Sequence, residues 1–392
     1  VGAEAGVSAG NEKVVHATEN AMKRFLLSVL KYLTLPLAVL YGLVVFIRNL
    51  LYDLGIFDSI GFSFPVICVG NITVGGTGKS PHIEYLIELL SPRYAVATLS
   101  RGYRRHSRGF RLAEAGTDAR EIGDEPFQFK AKHPHIEVCV AEERMTAIPQ
   151  LLQRRPHLQA ILLDDAFQHR TVKAGLNILL TDYGRLYTRD FIMPFGLLRE
   201  SRSASARAGI IVVTKCPAAL SEEEALSIRQ EIKPKEHQQV FFSTIDYKPL
   251  YALTPQAMPP GPETTVLMMT GIANPAPLKE HLSRFFRNVH ELSYPDHHYF
   301  TTDDLNEIQE AFAHLPGTDK IIVTTEKDAA RLMLWKDRLL ELQIPIFAQP
   351  IGTRFLFGQE EEFQQRITDF MATFFPPDEE HVPAVQPETP AS

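Results

Sequence analysis

The stretch VGNITVGGTGKSPH, residues 69–82, decides how the rest of the chain is read. It closes the apolar run FPVICVGN and opens the amphipathic run SPHIEYLIELL, so it joins a strand to a helix. A loop of the form G-x-x-x-x-G-K-[ST] in that context cradles phosphate. Its glycines let backbone N–H groups converge on the oxygens, Lys79 can reach the terminal phosphates, and Ser80 offers a hydroxyl to Mg²⁺. The first glycine of the pattern, however, would fall where the chain has Thr73. A phosphate nest needs permissive dihedrals somewhere in the turn, and Gly75 and Gly76 can supply them. The nucleotide-binding candidates are Thr73, Val74, Gly75, Gly76, Thr77, Gly78, Lys79 and Ser80. The bland alternative is a glycine-rich connection that binds nothing.

Outward from this loop, FPVICVGN, YAVATLS, IEVCVA, AILLDD, LNILLTDY and GIIVVTK read as strands, apolar on both faces, with helical stretches between several of them. This βαβ rhythm predicts an α/β fold, a P-loop NTPase-like, doubly wound, mostly parallel sheet whose ligands bind at the carboxyl ends of strands. QVFFSTIDY, TTVLMMTG and DKIIVTTEKDAA, with helical runs around PAPLKEHLSRFF and TTDDLNEIQEAFAHL, predict a second, smaller α/β lobe. The expected divisions are a leader over 1–21, an apolar helix over 22–60, a nucleotide-binding core over 61–225, a second lobe over 226–375 and a disordered tail over 376–392.

Loops after strands carry the remaining chemistry. AILLDDAFQH places Asp164 and Asp165 where a strand ends; two aspartates there can cap the next helix, but beside a phosphate loop the Mg²⁺ reading is the stronger. LSRGYRRHSRGF gathers Arg101, Arg104, Arg105 and Arg108 into an anion site or a solvated basic loop. GDEP contributes Asp124, FGLLRES contributes Arg199 and Glu200, and SYPDHHYF contributes His297 and His298, where a His beside a carboxylate suits proton transfer.

The whole chain bounds these readings. Its 392 residues favour two packed lobes, and its net charge of -7 argues against a general nucleic-acid binder. Cys68, Cys139 and Cys216 sit in separate apolar runs and read as buried reduced thiols. Residues 25–52 are the most apolar stretch, but Tyr32 to Ile47, the uncharged part, gives roughly 24 Å of helix against about 30 Å of bilayer hydrocarbon. Pro36 and Gly42 are expected to interrupt it. A core helix, a single span and a helix lying in the interface all stay open, and the basic flanks Lys23, Arg24, Lys31 and Arg48 suit an anionic leaflet.

Taken in order, GNITVGGTGKSP, LSRGYRR, GDEP, LLDDAFQHR, DFIMPFGLLRE, TGIANP and YPDHHYF, behind an apolar helix, resemble the tetraacyldisaccharide 4'-kinase family over roughly residues 22–375. The resemblance implies transfer of the ATP γ-phosphate, with Mg²⁺, to the 4' hydroxyl of a tetraacylated glucosamine disaccharide 1-phosphate in lipid A biosynthesis. It places the reaction at the cytoplasmic face of the inner membrane. By resemblance, Lys79 and Ser80 bind nucleotide and metal, Asp124 is the general base with His297 as its partner, and Arg199 stabilises charge on the transferring group. Asp164 and Asp165 correspond to Mg²⁺ carboxylates, with Glu200 near the metal. Ser80 stands where Thr is frequent and Ala166 where Gly is frequent, and neither removes a functional group. The implied partners are the lipid substrate and the membrane surface, with no nucleic acid and no obligate protein partner. The competing reading is a membrane-associated NTPase switch; the guanine-reading [NT]-K-x-D it would want meets Thr214 and Lys215 but then Pro217.

Overall fold

Strands apolar on both faces must be covered on both faces, and the chain, seen in a computed structural model, does this with two large sheets, apart from which Ile60–Gly61 and Val172–Lys173 pair in a short two-stranded ladder. The structure describes residues 32–255 and 259–376. The expected leader, the basic residues Lys23, Arg24 and Lys31, and all of the expected tail beyond residue 376 lie outside the described residues.

The strands of the two large sheets, in chain order, are β1 (Val66–Gly70), β2 (Val96–Ser100), β3 (Arg111–Leu112), β4 (Glu137–Val140), β5 (Ala160–Asp164), β6 (Leu176–Asp182), β7 (Ile210–Thr214) and β8 (Gln239–Tyr247). They continue with β9 (Tyr251–Ala252), β10 (Thr265–Thr270), β11 (Asn288–Ser293), β12 (Lys320–Thr325), β13 (Ile346–Gln349) and β14 (Ile351–Phe355). The first sheet runs β14-β8-β7-β6-β1-β5-β2-β4-β3, parallel except at its two edges, where β14 and β3 pair antiparallel. The second runs β9-β13-β12-β10-β11, parallel except for β9. The doubly wound α/β core and the smaller lobe are therefore both present.

The expected division at 225/226 falls inside the first sheet's own run of strands. QVFFSTIDY, read as second-lobe, forms β8 and pairs parallel with β7. After an excursion through β9 to β13 the chain returns, adding β14 to β8 and laying Phe363, Ile367 and Met371 of the last helix (Glu360–Ala372) into the core.

Helix α1 (Leu35–Asp53) carries the apolar N-terminal stretch. Pro36 does not interrupt it: it sits in the first turn, where its missing N–H costs nothing, and the helix runs unbroken through Gly42. Only Ala38 and Val45 are buried in it. Leu37, Val39, Leu40, Leu43, Val44, Phe46 and Ile47 are all exposed, which is not how a core helix of a soluble protein is seated. By length and composition it is the one described helix able to cross a membrane.

Candidate active site

Strand β1 delivers the glycine-rich loop to helix α2 (Lys79–Leu90). Thr73 is buried and forms an antiparallel bridge with Leu198, while Val74 N donates to Leu197 O (2.8 Å) and Arg199 N to Ile72 O (2.7 Å). Position 73 is thus held like a strand residue against the 190–200 loop, a setting that favours a β-branched side chain over glycine. The loop turns later, at Gly75 (φ 109°) and Gly78 (φ 80°), in the left-handed region where a Cβ is strained.

Side chains tie down the loop's carbonyls. Asn71 Nδ2 donates to Thr77 Oγ1 (2.8 Å) and Gly75 O (3.4 Å), Lys215 Nζ to Gly76 O, Thr214 Oγ1 to Thr77 O (2.9 Å) and His82 Nδ1 to Gly78 O (2.7 Å). Burial pushes His82 down to about 4, so it is neutral, and with Nδ1 donating its Nε2 accepts from Ser243 Oγ (3.1 Å). The amides of Gly75, Gly76 and Gly78 have no protein acceptor among the described residues. Helix α2 begins at Gly78 with no side-chain cap and no acidic residue in its first turn, so its positive end is open to an anion.

Strand β5 ends beside β1 and brings the two aspartates to this loop. Asp165 sits in the left-handed region (φ 49°), a conformation costly for a non-glycine residue, and points to Lys79 Nζ (3.8 Å) and Arg199 Nη2 (2.8 Å). Burial alone would raise its pKa, but Lys79 and Arg199 hold it below the usual carboxylate range. Asp164 is buried and shifts the other way, to about 7, from burial first and Asp165 among the lesser causes, with Lys79 opposing. Its Oδ1 is buried without a partner. An orphaned carboxylate oxygen next to a hydroxyl-bearing phosphate loop fits a hard, oxygen-seeking cation such as Mg²⁺. Glu200 is placed differently. Its buried carboxylate faces Arg207 and Arg48 (3.7 Å), and its Oε1 has no hydrogen-bond partner among the described residues.

The second lobe supplies the other half of the site. Asp124 starts helix α3 (Asp124–Lys132) in the first lobe and is buried. His297 Nδ1 (3.4 Å), Tyr299 Oη (3.4 Å) and Arg331 Nε (2.8 Å) reach it from the second, Arg331 from helix α4 (Glu326–Leu332). Burial would raise Asp124, but hydrogen bonding from His297 and the Arg331 charge outweigh it and hold the carboxyl low, so it is ionised. Arg331 Nη2 also lies 3.3 Å from His297 Nδ1. His297 is itself left-handed (φ 60°). His298 turns away and pairs with Asp304 (2.9 Å), which separates the two histidines that the sequence left side by side. Lys327, on α4, pairs with Glu125 (2.7 Å), and both charges act on Asp164, so the two halves of the site adjoin.

Sequence reasoning missed Asn71, Tyr299, Lys327 and Arg331. The signal was available for the last two: TTEKDAARL follows an apolar strand, the position from which ligands are met in such sheets. Of the basic loop, Arg105 is spent on Glu142 (2.5 Å) and Gly109 O (2.7 Å), whereas Arg104 Nη1 reaches His297 O (3.4 Å) and the Tyr103 ring lies 5.4 Å from that of His297.

The comparisons agree on one family. The profile described as tetraacyldisaccharide-1-P 4'-kinase matches residues 30–372. A tetraacyldisaccharide 4'-kinase of Bacteroides thetaiotaomicron is 44% identical over 349 residues, 86% of this chain and 92% of the relative. One from Flavobacterium johnsoniae is 46% identical over 347 residues, 88% of this chain and 98% of the relative. Among solved structures, the "apo" form of LpxK from Aquifex aeolicus in complex with ATP is 26% identical, with a TM-score of 0.67, over 87% of this chain and 99% of that one. The glycine-rich loop with its buried threonine and the carboxylates beside it thus lie in a chain that belongs to the tetraacyldisaccharide-1-P 4'-kinase family.

Proposed function

We propose that this protein transfers the γ-phosphate of ATP to the 4' hydroxyl of a tetraacyldisaccharide 1-phosphate, working at the cytoplasmic face of the inner membrane. The observation that carries the reading is the pairing of an ionised, buried Asp124 with His297 next to an uncapped phosphate loop. Phosphoryl transfer needs positioning and charge stabilisation more than covalent chemistry, and these groups supply both.

In this reading the amides of residues 75–80 and Lys79 hold the β- and γ-phosphates. Arg199, aligned by Asp165 and Asn71, balances charge on the transferring phosphoryl group. Asp124 accepts the proton of the sugar hydroxyl, Arg331 keeps it ionised beforehand, and His297 pairs with it through Nδ1. Ser80, Asp164 and Asp165 would hold Mg²⁺, which when bound neutralises charge between the β- and γ-phosphates. Glu200 pairs with Arg207 through one oxygen and keeps Oε1 buried without a hydrogen-bond partner, which supports a place near the metal as it does for Asp164.

The exposed apolar face of α1 suits a substrate that stays in the bilayer, with the helix lying in the interface. Nothing in the comparisons favours the switch alternative. The test is transfer from γ-labelled ATP to detergent-dispersed tetraacyldisaccharide 1-phosphate by the full-length protein and by Lys79→Ala. The parent labels the lipid and the variant does not; equal labelling by Lys79→Ala would remove the phosphate-loop reading.

A further inference from the structure

We infer that helix α1 is a working part of the catalytic site, with Tyr41 and Arg48 acting as positioning residues that fix Arg199. A helix that served only as a membrane tether would need no polar contact with the chemistry. This one has a polar seam along its protein-facing side.

Tyr41 Oη donates to Arg199 O (3.0 Å). Next to it, a Cβ at Gly42 would meet the Ile192 side chain at 3.5 Å, and Ile192 itself bridges to Leu198. Arg48 Nη2 donates to Gln168 O (2.6 Å), and Arg48 Nη1 lies 3.7 Å from Glu200 Oε1. Gln168 Nε2 in turn donates to Asn71 O (2.8 Å), and Asn71 Oδ1 accepts from Arg199 Nη2. Two routes therefore leave the helix and meet at one residue, Arg199. One holds the Arg199 backbone from behind; the other passes through Gln168 and Asn71 to its side chain. Arg170 closes the seam at the far end, donating to Asn49 O (2.9 Å) and pairing with Asp53 (2.6 Å).

The 190–200 loop is thus clamped between two partners. Its inner side is bridged to Thr73 of the phosphate loop, and its outer side meets α1. The consequence is direct: α1 itself holds Arg199 through these contacts, so full turnover requires the helix even when substrate is delivered without a bilayer.

This inference rests on the reading that Arg199 meets the transferring phosphoryl group. Its test uses the full-length protein with lipid dispersed in detergent, so that finding a membrane is not limiting. Tyr41→Phe keeps the ring and removes one donor; kcat is expected to fall about 3- to 10-fold, the scale of one hydrogen bond. Tyr41→Phe with Arg48→Met should approach roughly 10²-fold, the scale of a 1 Å misplacement of a reacting group. Arg48→Lys, which keeps the charge but loses the fork, should fall between parent and Arg48→Met. KM for ATP and partition of Tyr41→Phe onto anionic phospholipid vesicles should match the parent. Parent-like kcat in the double variant overturns the inference, as does a loss matched by equal loss of vesicle partition or of melting temperature. If Lys79→Ala is inactive while the double variant turns over normally, the inference fails and the kinase reading stands. If Lys79→Ala still labels the lipid, the kinase reading itself fails.

Discussion

Replacing Arg331 with methionine tests the way this fold prepares its base. The side chain is fully buried and binds Asp124 through Nε (2.8 Å), Asp328 through Nη1 (2.9 Å) and Gly271 O through Nη1 (3.3 Å). Methionine fills similar volume but leaves two buried carboxylates without their cation. Breaking a buried pair in this way costs about 3–5 kcal/mol, a large part of a usual total of about 5–15 kcal/mol. Removing the second charge as well should recover part of that loss, so Arg331→Met/Asp328→Leu is expected to be more stable than Arg331→Met alone.

The sign with pH follows from Asp124. Its folded pKa is depressed, so its contribution to stability is present above the unfolded value of about 3.9 and is lost as pH falls through the folded one. Parent and Arg331→Met should therefore differ most near neutrality and converge in acid. Activity carries the same signature: with the guanidinium gone Asp124 holds its proton more tightly, and the acid limb of kcat/KM moves to higher pH. Denaturant unfolding at a series of pH values and a pH–rate profile measure both. An unfolding free energy within about 1 kcal/mol of the parent, with an unmoved acid limb, would refute the role given to Arg331.

Three further outcomes are expected. Asp124→Ala should lower kcat by about 10²-fold or more while ATP binding, read by nucleotide fluorescence titration, is retained; unchanged kcat would reassign the base. Gly196→Ala should destabilise by about 1–3 kcal/mol and lower kcat, because a Cβ there would overlap the Phe191 carbonyl and lie 2.6 Å from Asp190 Oδ1 in the loop that carries Arg199; a parent-like melting curve would contradict this. All three thiols are buried, Cys68 and Cys216 pushed up to about 12 and Cys139 also raised, so iodoacetamide at pH 8 should label none of them until denaturant is added.

Much of this was legible in the sequence because it depends on local pattern. Apolar runs bounded by glycine and charge gave β1, β2, β4, β5, β6 and β7, and the segments at and beyond their ends held Asp124, Asp164, Asp165 and Arg199. What escaped depends on pairing between distant segments. No local feature of QVFFSTIDY says that it joins β7 and not the second sheet, and none says that the chain returns as β14. Thr73 looks like a defect until its bridge to Leu198 is seen, 125 residues on by number. Pro36 looks like a breaker until it is found in the first turn. Arg331 looks like an ordinary helix-surface arginine; only the fold buries it against Asp124.

The central claim is that this site moves phosphate from ATP to the sugar's 4' hydroxyl, and the position of the label tests it most directly. The protein is incubated with γ-labelled ATP, Mg²⁺ and tetraacyldisaccharide 1-phosphate, and the recovered lipid is treated with mild acid, which cleaves an anomeric phosphate and spares an ordinary sugar phosphomonoester. The account predicts a labelled lipid that keeps its label through the acid step. ATP turnover to free phosphate with no labelled lipid, or label released by the acid, would contradict it.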